Sequence, residues 1–412
     1  MLVPLADAVR ATCGGKAAAL GALTRAGLPV PDGFVVPVGT GRHDDHGVDH
    51  SADDVPPRLR DALARALEAL GGTVAVRSSA ADEDAVGASA AGQYATVLAV
   101  RGVDEVVDAV RTCWASLHSA RAVAYRAATG AGAGARPLMG VLVQRQLDAE
   151  VSGVMFTPDG RGTTRVEASW GLGTGVVGGT VTPDAYDVGP TGTVTRTLGD
   201  KRTRTDRHGG RLVTRDVPAP DRSRPTLDDA AVARLAALGG RAAAVLGGAQ
   251  DVEWAVVDGT TWLLQARPVT AELPRPASAR AATGADGASS AADASSGSEA
   301  TSAVLVGTPG SAGSATGPAR VVRGPSDVAR VRPGDVLVCP WTDPGWTPLL
   351  RVAAAVVTET GGVLSHAAIV ARERGIPAVL GVPCATTTLR DGALVTVDGT
   401  AGTVTAAVVT GP

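Results

Sequence analysis

The chain moves repeatedly between two hydrophobic rhythms. Apolar residues recur at three- and four-residue steps over 16–26, 58–70, 103–125 and 227–246, the spacing that lays one apolar stripe along a helix. Short apolar or alternating runs at 73–76, 139–144, 163–167, 252–257 and 261–265 predict strands. The last two flank Asp258-Gly259-Thr260, a hairpin signal. Helices mixed with antiparallel strands predict an α/β (mixed α+β) domain over 1–271. Both rhythms stop over 272–302, which is rich in Ala, Ser, Gly and Asp and nearly empty of large apolar residues. Such a segment cannot bury a core and is predicted to be a flexible tether. About thirty residues of this type span roughly 30 Å. Apolar runs resume over 303–412 and predict a second, smaller β/α domain.

In that smaller domain the apolar run 352–357 ends at Thr358-Glu359-Thr360, as a buried strand would. Gly361-Gly362 permit a tight turn with close backbone approach. Ser365 is placed to cap a helix running to about Arg374, closed by Gly375 and Pro377. His366 then falls in the first turn, where free N–H groups and the positive dipole end favour an anion. The same field disfavours imidazolium and leaves a neutral, nucleophilic imidazole. A neutral histidine beside a phosphate-sized anion hole is what a phosphohistidine intermediate needs. An isolated histidine at a helix start more often caps or packs. The Gly-Gly approach, the small Ala367 and Ala368 and the Gly-Ile-Pro exit weigh the other way.

Three motifs in the larger domain point to phosphate chemistry. Gly14-Gly15 turns the chain into a helix with Lys16 at its start, where an ammonium can meet phosphate oxygens. This is not a Walker A loop, because Arg10 stands where the first glycine should be and Ala17 replaces Ser/Thr. Next, a strand delivers Arg77 into a loop of small residues, Ser78, Ser79, Gly87, Ser89 and Gly92, with Asp82 to Asp84 as a solvated face. Backbone N–H groups of such a loop can approach phosphates, and a guanidinium binds them two-pronged. Last, six residues on each side of a turn centred at Gly259 set Glu253 opposite Gln265. A carboxylate and an amide oxygen suit Mg²⁺, a hard cation that shares its shell with phosphate. Arg267, two residues on, shares their face.

The blocks GGKAAALGALTRAGLPVPDGFVV, VAVRSSA…AGQY, VLVQRQLDAEVSGVMFTPD, EASWGLG…VTPDAY and DVEWAV…LLQARPVT resemble, in order and wording, the nucleotide domain of the pyruvate phosphate dikinase and phosphoenolpyruvate (PEP) synthase family. TETGGVLSHAAIVARERGIPAVLGV resembles that family's swivelling phosphohistidine domain, also found in rifampin phosphotransferases. The family usually has Thr before the histidine; Ser365 keeps the hydroxyl. The resemblance implies an ATP-grasp-type nucleotide-binding domain (1–271), a linker (272–302) and a small swivelling β/α phosphohistidine domain (303–412). It implies Lys16, Arg77 and Arg267 as triphosphate ligands and Gly92 and Thr96 as phosphate-loop contacts. It further implies Gln144 at the adenine edge and Glu253 and Gln265 as Mg²⁺ ligands. Lys201, in LGDK, matches a family block without a role.

The implied activity is that of a dikinase. ATP gives AMP, and a phosphate passes through His366 to an acceptor such as pyruvate. The relatives carry a further module that receives the phosphate. Here only low-complexity sequence separates the two domains and few residues follow Val404, so the acceptor is expected in the cleft between the domains or on a separate chain. A rifampin-phosphotransferase-like kinase of a small molecule is the alternative. A non-catalytic ATP-sensing protein is the alternative of another class, and the joint presence of Lys16, Arg77, Glu253, Gln265, Arg267 and His366 weighs against it.

Composition narrows the partners. The chain has 412 residues with 38 basic and 41 acidic, for a net charge of −3, so no global polyanion-binding surface is expected. Aromatics make up only 3%, too few for stacking on nucleic acid. Four cysteines stand far apart without a C-x-x-C pair, which fits a reduced, cytoplasmic protein. The N-terminus does not read as a signal peptide, and no apolar run is long enough for a bilayer. Gly173-x-Gly175-x-x-Gly178 lacks the context of a dinucleotide site and is expected to be a flexible loop. The histidine-rich 43–50 is expected to be a solvated insertion, and Trp341 and Trp346 are expected to pack in a core or hinge.

Overall fold

The computed structural model describes residues 1–40, 55–80, 94–119, 122–123, 126, 138–158, 162–273 and 303–406. These form two compact units, one built on Met1–Ala271 and one on the strands that follow. The 43–50 insertion, Asp82 to Asp84, Gly87, Ser89, Gly92 and nearly all of the 272–302 tether lie outside the described residues.

The first unit holds two antiparallel sheets. Strands β1 (Val3–Pro4), β2 (Gly33–Val36), β3 (Val74–Ala80), β4 (Thr96–Val100) and β5 (Met139–Arg145) form one sheet, ordered β1-β2-β5-β3-β4. Helix α1 (Gly15–Arg25) contributes Leu20 and Leu23 to a core shared with Val35 and Leu142. Helices α2 (Pro57–Leu70) and α3 (Gly102–Ser116) share a second core with Phe34, Val74, Val76, Val141 and Val143. Being covered on both faces, β5 reads as the continuous run Val141-Leu142-Val143, without alternation. The second sheet contains β6 (Val151–Phe156), β7 (Thr164–Trp170), β8 (Asp184–Val188) and β9 (Val194–Thr197). A separate ribbon, β10 (Thr203–His208) and β11 (Arg211–Asp216), follows. Strands β12 (Gln250–Val257) and β13 (Thr260–Pro268) complete the sheet in the order β13-β12-β6-β7-β8-β9. Helix α4 (Asp229–Leu246) starts at Asp228, whose carboxylate accepts from Ala231 N at 2.6 Å, and its Val232 and Leu235 join Met155, Val252 and Trp254 in the first core. Each such fully buried side chain contributes about 1.5–3 kcal/mol.

The helix predicted over 103–125 stops at Ser116. The Ser116 hydroxyl donates to Cys113 O at 2.6 Å and accepts from Ala95 N at 3.1 Å, tying the helix end to the residue just before β4, the strand that precedes the helix. Ser119 Oγ then accepts from Ala122 N at 3.2 Å, capping a new turn. Two serines therefore interrupt an apolar rhythm that continues through them.

The second unit is one mixed sheet. Its strands are β14 (Ala303–Val306), β15 (Thr308–Ser311), β16 (Ser314–Val321), β17 (Val336–Cys339), β18 (Ala355–Thr358), β19 (Ala378–Leu380), β20 (Leu394–Asp398) and β21 (Thr403–Ala406). They lie in the order β14-β21-β20-β16-β17-β18-β19-β15. Neighbours β16 to β19 run parallel and the rest antiparallel. Strands β17 and β18 are buried along their whole length, as central parallel strands are. Helix α5 (His366–Arg374) crosses from β18 to β19. Trp346 packs against this unit's core as expected; Trp341 does not, being 45% exposed. All four cysteines are free. Burial, then the charge of Glu359, pushes the Cys339 thiol far up, so it stays protonated and unreactive. No helix among the described residues is long and apolar enough to cross a membrane.

Lys201, without a role in the sequence, is completely buried in the first unit. Its ammonium donates to Asp184 Oδ1 at 2.6 Å, Arg222 O at 2.7 Å and Gly199 O at 3.0 Å. Asp184 Oδ2 takes the N–H and hydroxyl of Thr226 at 2.8 and 3.0 Å. The network roots both ends of the β10–β11 ribbon. Lys201→Met leaves Asp184 charged in the interior, and should lower unfolding free energy by about 3–5 kcal/mol in a denaturant titration.

Candidate functional site

Site construction begins at Gly14. It adopts φ +81°, and a Cβ there would stand 2.0 Å from Ser79 O, so only glycine lets this turn lie on β3. Ala17 N then donates to Ser79 Oγ at 3.0 Å, and the Lys16 ammonium donates to Ser78 O at 2.9 Å. Lys16 is thereby fixed in the first turn of α1, 5% exposed.

Arg77 projects from β3, directly paired with Thr96 of β4. Its Nη1 donates to Leu264 O at 2.6 Å. Its Nη2 donates to Glu253 Oε2 at 3.0 Å and Gln265 Oε1 at 2.9 Å. Both acceptors come from the β12–β13 hairpin, where Glu253 and Gln265 are register partners as predicted. The turn is tighter than expected: Asp258 (φ 49°) and Gly259 (φ 72°) form a two-residue loop of the I′ kind, with Val257 opposite Thr260. A regular ladder from that turn would put Leu264 opposite Glu253. A bulge between Glu253 and Trp254 skips Leu264 and restores Gln265 to the pairing. The skipped Leu264 carbonyl is the one that Arg77 takes.

One cavity of about 350 Å³, typical of a small-molecule site, is lined by Lys16, Arg77, Thr96, Gln144, Glu253, Gln265 and Arg267. Every described residue of the predicted nucleotide site therefore reaches the same space. Lys16, Arg77 and Arg267 face one carboxylate, Glu253, an excess of positive charge that suits a polyanion. Apolar Leu98, Val177 and Leu264 complete the wall. Gln144 is buried and its Nε2 donates to Pro31 O at 2.9 Å. Arg267 Nε and Nη2 donate to Asp251 Oδ2 at 2.9 and 2.7 Å. Asp251 escaped the sequence reading, though it stands two residues before Glu253 on the same strand face, a period-two signal that would have found it. The loop with Gly173 and Gly178 also corrects an expectation. Expected as a flexible loop, it instead holds a short helix, Thr174–Val177, and Gly173, Thr174 and Gly178 line the cavity.

Glu253 Oε2 and Gln265 Oε1 converge on a single cationic nitrogen, so two hard oxygens already point at one position. That donor set fits Mg²⁺, with phosphate and water completing the shell. No cluster of three His, Cys, Asp or Glu able to hold a metal by itself occurs among the described residues.

In the second unit, His366 opens α5 just past the carboxyl end of β18, the end where parallel sheets carry their sites. Gly361 adopts φ +104°. The loop ahead of His366 is held at several points. Glu359 Oε1 accepts from Thr386 N at 2.8 Å and Thr386 Oγ1 at 2.7 Å. Thr360 Oγ1 donates to Pro340 O at 3.1 Å. Arg372 Nη1 donates to Val363 O at 2.7 Å and Gly310 O at 3.0 Å. Ser365 precedes the helix as expected, but its hydroxyl makes no hydrogen bond among the described residues, so it is not a side-chain cap.

The first unit is thus a mixed α/β domain with a cation-lined cavity between its two sheets, and the second a small β/α module with a histidine at a strand-to-helix turn. Residues 50–285 match the family model described as pyruvate phosphate dikinase, AMP/ATP-binding domain, and residues 331–402 match PEP-utilising enzyme, mobile domain. A probable phosphoenolpyruvate synthase of Methanothermobacter thermautotrophicus is 35% identical over 435 residues, covering 95% of this chain and 61% of the relative. One of Archaeoglobus fulgidus is 36% identical over 435 residues, covering 95% and 56%. Among solved structures, a D-alanine–D-alanine ligase from Bacillus anthracis matches at 9% identity and a TM-score of 0.28, over 61% of this chain and 54% of that one. The chain belongs to the pyruvate phosphate dikinase and PEP synthase family. It spans about three fifths of the length of the first of these relatives.

Gly14→Ala should displace the turn that carries Lys16. We expect a loss of about 1–3 kcal/mol in stability from backbone strain alone, read by denaturant titration, together with weaker ATP binding in calorimetry.

Proposed function

We propose that this chain carries the phosphoryl-donor chemistry of an ATP-dependent dikinase. Mg·ATP binds the first unit, with Lys16, Arg77 and Arg267 on its phosphates, Thr96 and Gly92 at the phosphate loop and Gln144 at the adenine edge. Glu253 and Gln265 hold the Mg²⁺. The convergence of those two oxygens on one point, inside a cavity lined by the three cations, carries this reading. Bound Mg²⁺ would neutralise charge that develops on the phosphates.

His366 is the nucleophile. A nitrogen of its imidazole forms a bond to phosphorus as the P–O bond to AMP breaks. Water or inorganic phosphate takes the terminal phosphoryl group, which leaves a phosphohistidine and AMP. The domain 303–412 then carries the phosphoryl group on the 272–302 tether to an acceptor. The match to PEP synthases over 95% of the chain supports pyruvate or a similar small carboxylate as that acceptor.

Incubation with Mg·ATP should give AMP and an acid-labile, base-stable phosphoprotein, and His366→Ala should abolish the adduct. An adduct that survives the substitution, or ADP as the sole nucleotide product, would sink the assignment. Glu253→Ala should leave the fold intact, slow phosphorylation by roughly 100-fold or more, and remove the Mg²⁺-dependent part of the thermal shift caused by ATP. An unchanged Mg²⁺-dependent shift would reject the metal role.

A further inference from the structure

We propose that Arg77 is a stand-in cation that makes metal and nucleotide enter this site together. The inference rests on the reading of Glu253 and Gln265 as cation ligands. Its basis is one set of contacts. A single guanidinium nitrogen, Arg77 Nη2, donates to both Glu253 Oε2 (3.0 Å) and Gln265 Oε1 (2.9 Å), while Nη1 donates to Leu264 O (2.6 Å). The residue read as a phosphate ligand therefore occupies the oxygens read as metal ligands.

The consequences follow from charge. A divalent cation arriving alone must strip Glu253 and Gln265 from Arg77 and then sit within a few ångströms of the displaced guanidinium. At 4 Å, like charges repel by about 4 kcal/mol per unit pair in a partly screened protein site. The displaced guanidinium would also lose Glu253, its only carboxylate partner among the described residues, with just 12% of its side chain exposed to water. A cation arriving on a triphosphate changes the exchange. Arg77 trades a carboxylate for a phosphate, an acceptor it grips equally well. The cation trades water for the carboxylate and the amide. Both charges end paired. Metal alone is thus disfavoured, metal with triphosphate is favoured, and the bulge at Leu264 is what lets one arginine cover the whole ligand set.

The surroundings leave Arg77 this role. Arg267 is committed to Asp251 at 2.7 and 2.9 Å, both side chains being a tenth exposed or less. Lys16 is bonded to Ser78 O. Neither is bonded to Glu253 or Gln265.

The test uses the full-length protein and Mn²⁺ as a paramagnetic probe, with free Mn²⁺ measured by electron paramagnetic resonance. The nucleotide is the non-hydrolysable adenylyl imidodiphosphate. Wild type should bind Mn²⁺ weakly alone and at least about tenfold more tightly with the nucleotide, within the usual range of coupling between sites. Arg77→Met should bind Mn²⁺ alone at least about tenfold more tightly than wild type, and the nucleotide should raise Mn²⁺ affinity less than in wild type, with Mn²⁺ raising nucleotide affinity less by the same factor. Arg77→Lys keeps the charge but loses the fork that holds Leu264 O on one nitrogen and Glu253 and Gln265 on the other, so it should fall between the two and carries the test if the Met variant folds poorly. The gained binding should vanish when Glu253→Gln is added. If neither variant gains metal affinity while wild type binds Mn²⁺ with nucleotide in a Glu253-dependent way, the stand-in role is wrong and the metal site stands. If Glu253→Gln changes nothing in wild type with nucleotide, the metal reading fails and this proposal with it.

Discussion

Arg77 stands on β3 of one sheet and commits both terminal nitrogens to the β12–β13 hairpin of the other. The cavity exists because two antiparallel sheets are held a side chain apart, and this guanidinium crosses that distance at the cavity itself. Other contacts set the spacing from outside. Leu263 N donates to Pro29 O at 2.8 Å, in the turn after α1. The Gly14 turn lies directly on Ser79. Helix α1, which starts there, shares a core with Val35 of the first sheet and Trp254 and Leu263 of the second. The helix that presents Lys16 is thus also the wedge between the sheets.

Three ion pairs in this unit show how burial separates scaffold from site. Lys201–Asp184 is fully enclosed on both sides, with every oxygen and proton of the pair engaged. Removing one partner there is costly, and nothing can enter to replace it. Arg267–Asp251 is nearly as closed, yet Arg267 borders the cavity. Arg77–Glu253 is the most open, at 12% and 23% side-chain exposure. The gradient runs from a pair that can only be structural to one whose partners can be exchanged. Asp206 on the ribbon belongs with the surface pairs: burial opposes its ionisation, but hydrogen bonds from Arg204 and Arg215 outweigh that and hold its carboxyl below the usual range.

Much of this was legible in the sequence, and the successes and failures have physical reasons. The amphipathic rhythm placed α1, α2 and α4 to within about two residues, because helix period and capping are local properties. It overran α3, because the apolar spacing continues past Ser116 and Ser119 while their hydroxyls take over the backbone hydrogen bonds. The Glu253–Gln265 pairing was right through two compensating departures: a shorter turn than expected, and a bulge that absorbs the difference. Neither leaves a clear signature in a sequence window. The glycines at 173 and 178 were judged by the absence of a dinucleotide context, and what brings them to the cavity is long-range. Leu172 N pairs with Thr205 O of the ribbon and Ser152 Oγ donates to Gly171 O. Only the assembled sheet makes those contacts.

His366 was the most legible residue of all, because its setting is local. A buried parallel strand ends, two glycines turn the chain, and a helix begins: each step is encoded within a dozen residues. The structure adds how that turn is held in shape. The residues of the turn are tied down from three directions. Thr386 fixes Glu359, Pro340 O receives Thr360, and Arg372 reaches back from the far side of α5 to Val363 O and across to Gly310 O on β15. Arg372 lies on the helix that His366 opens, so the helix carries its own brace against the loop preceding it. The phosphoryl-carrying role proposed for His366 would need a helix start that does not fray. Here a guanidinium and the Glu359–Thr386 contact supply the order that two adjacent glycines would otherwise remove.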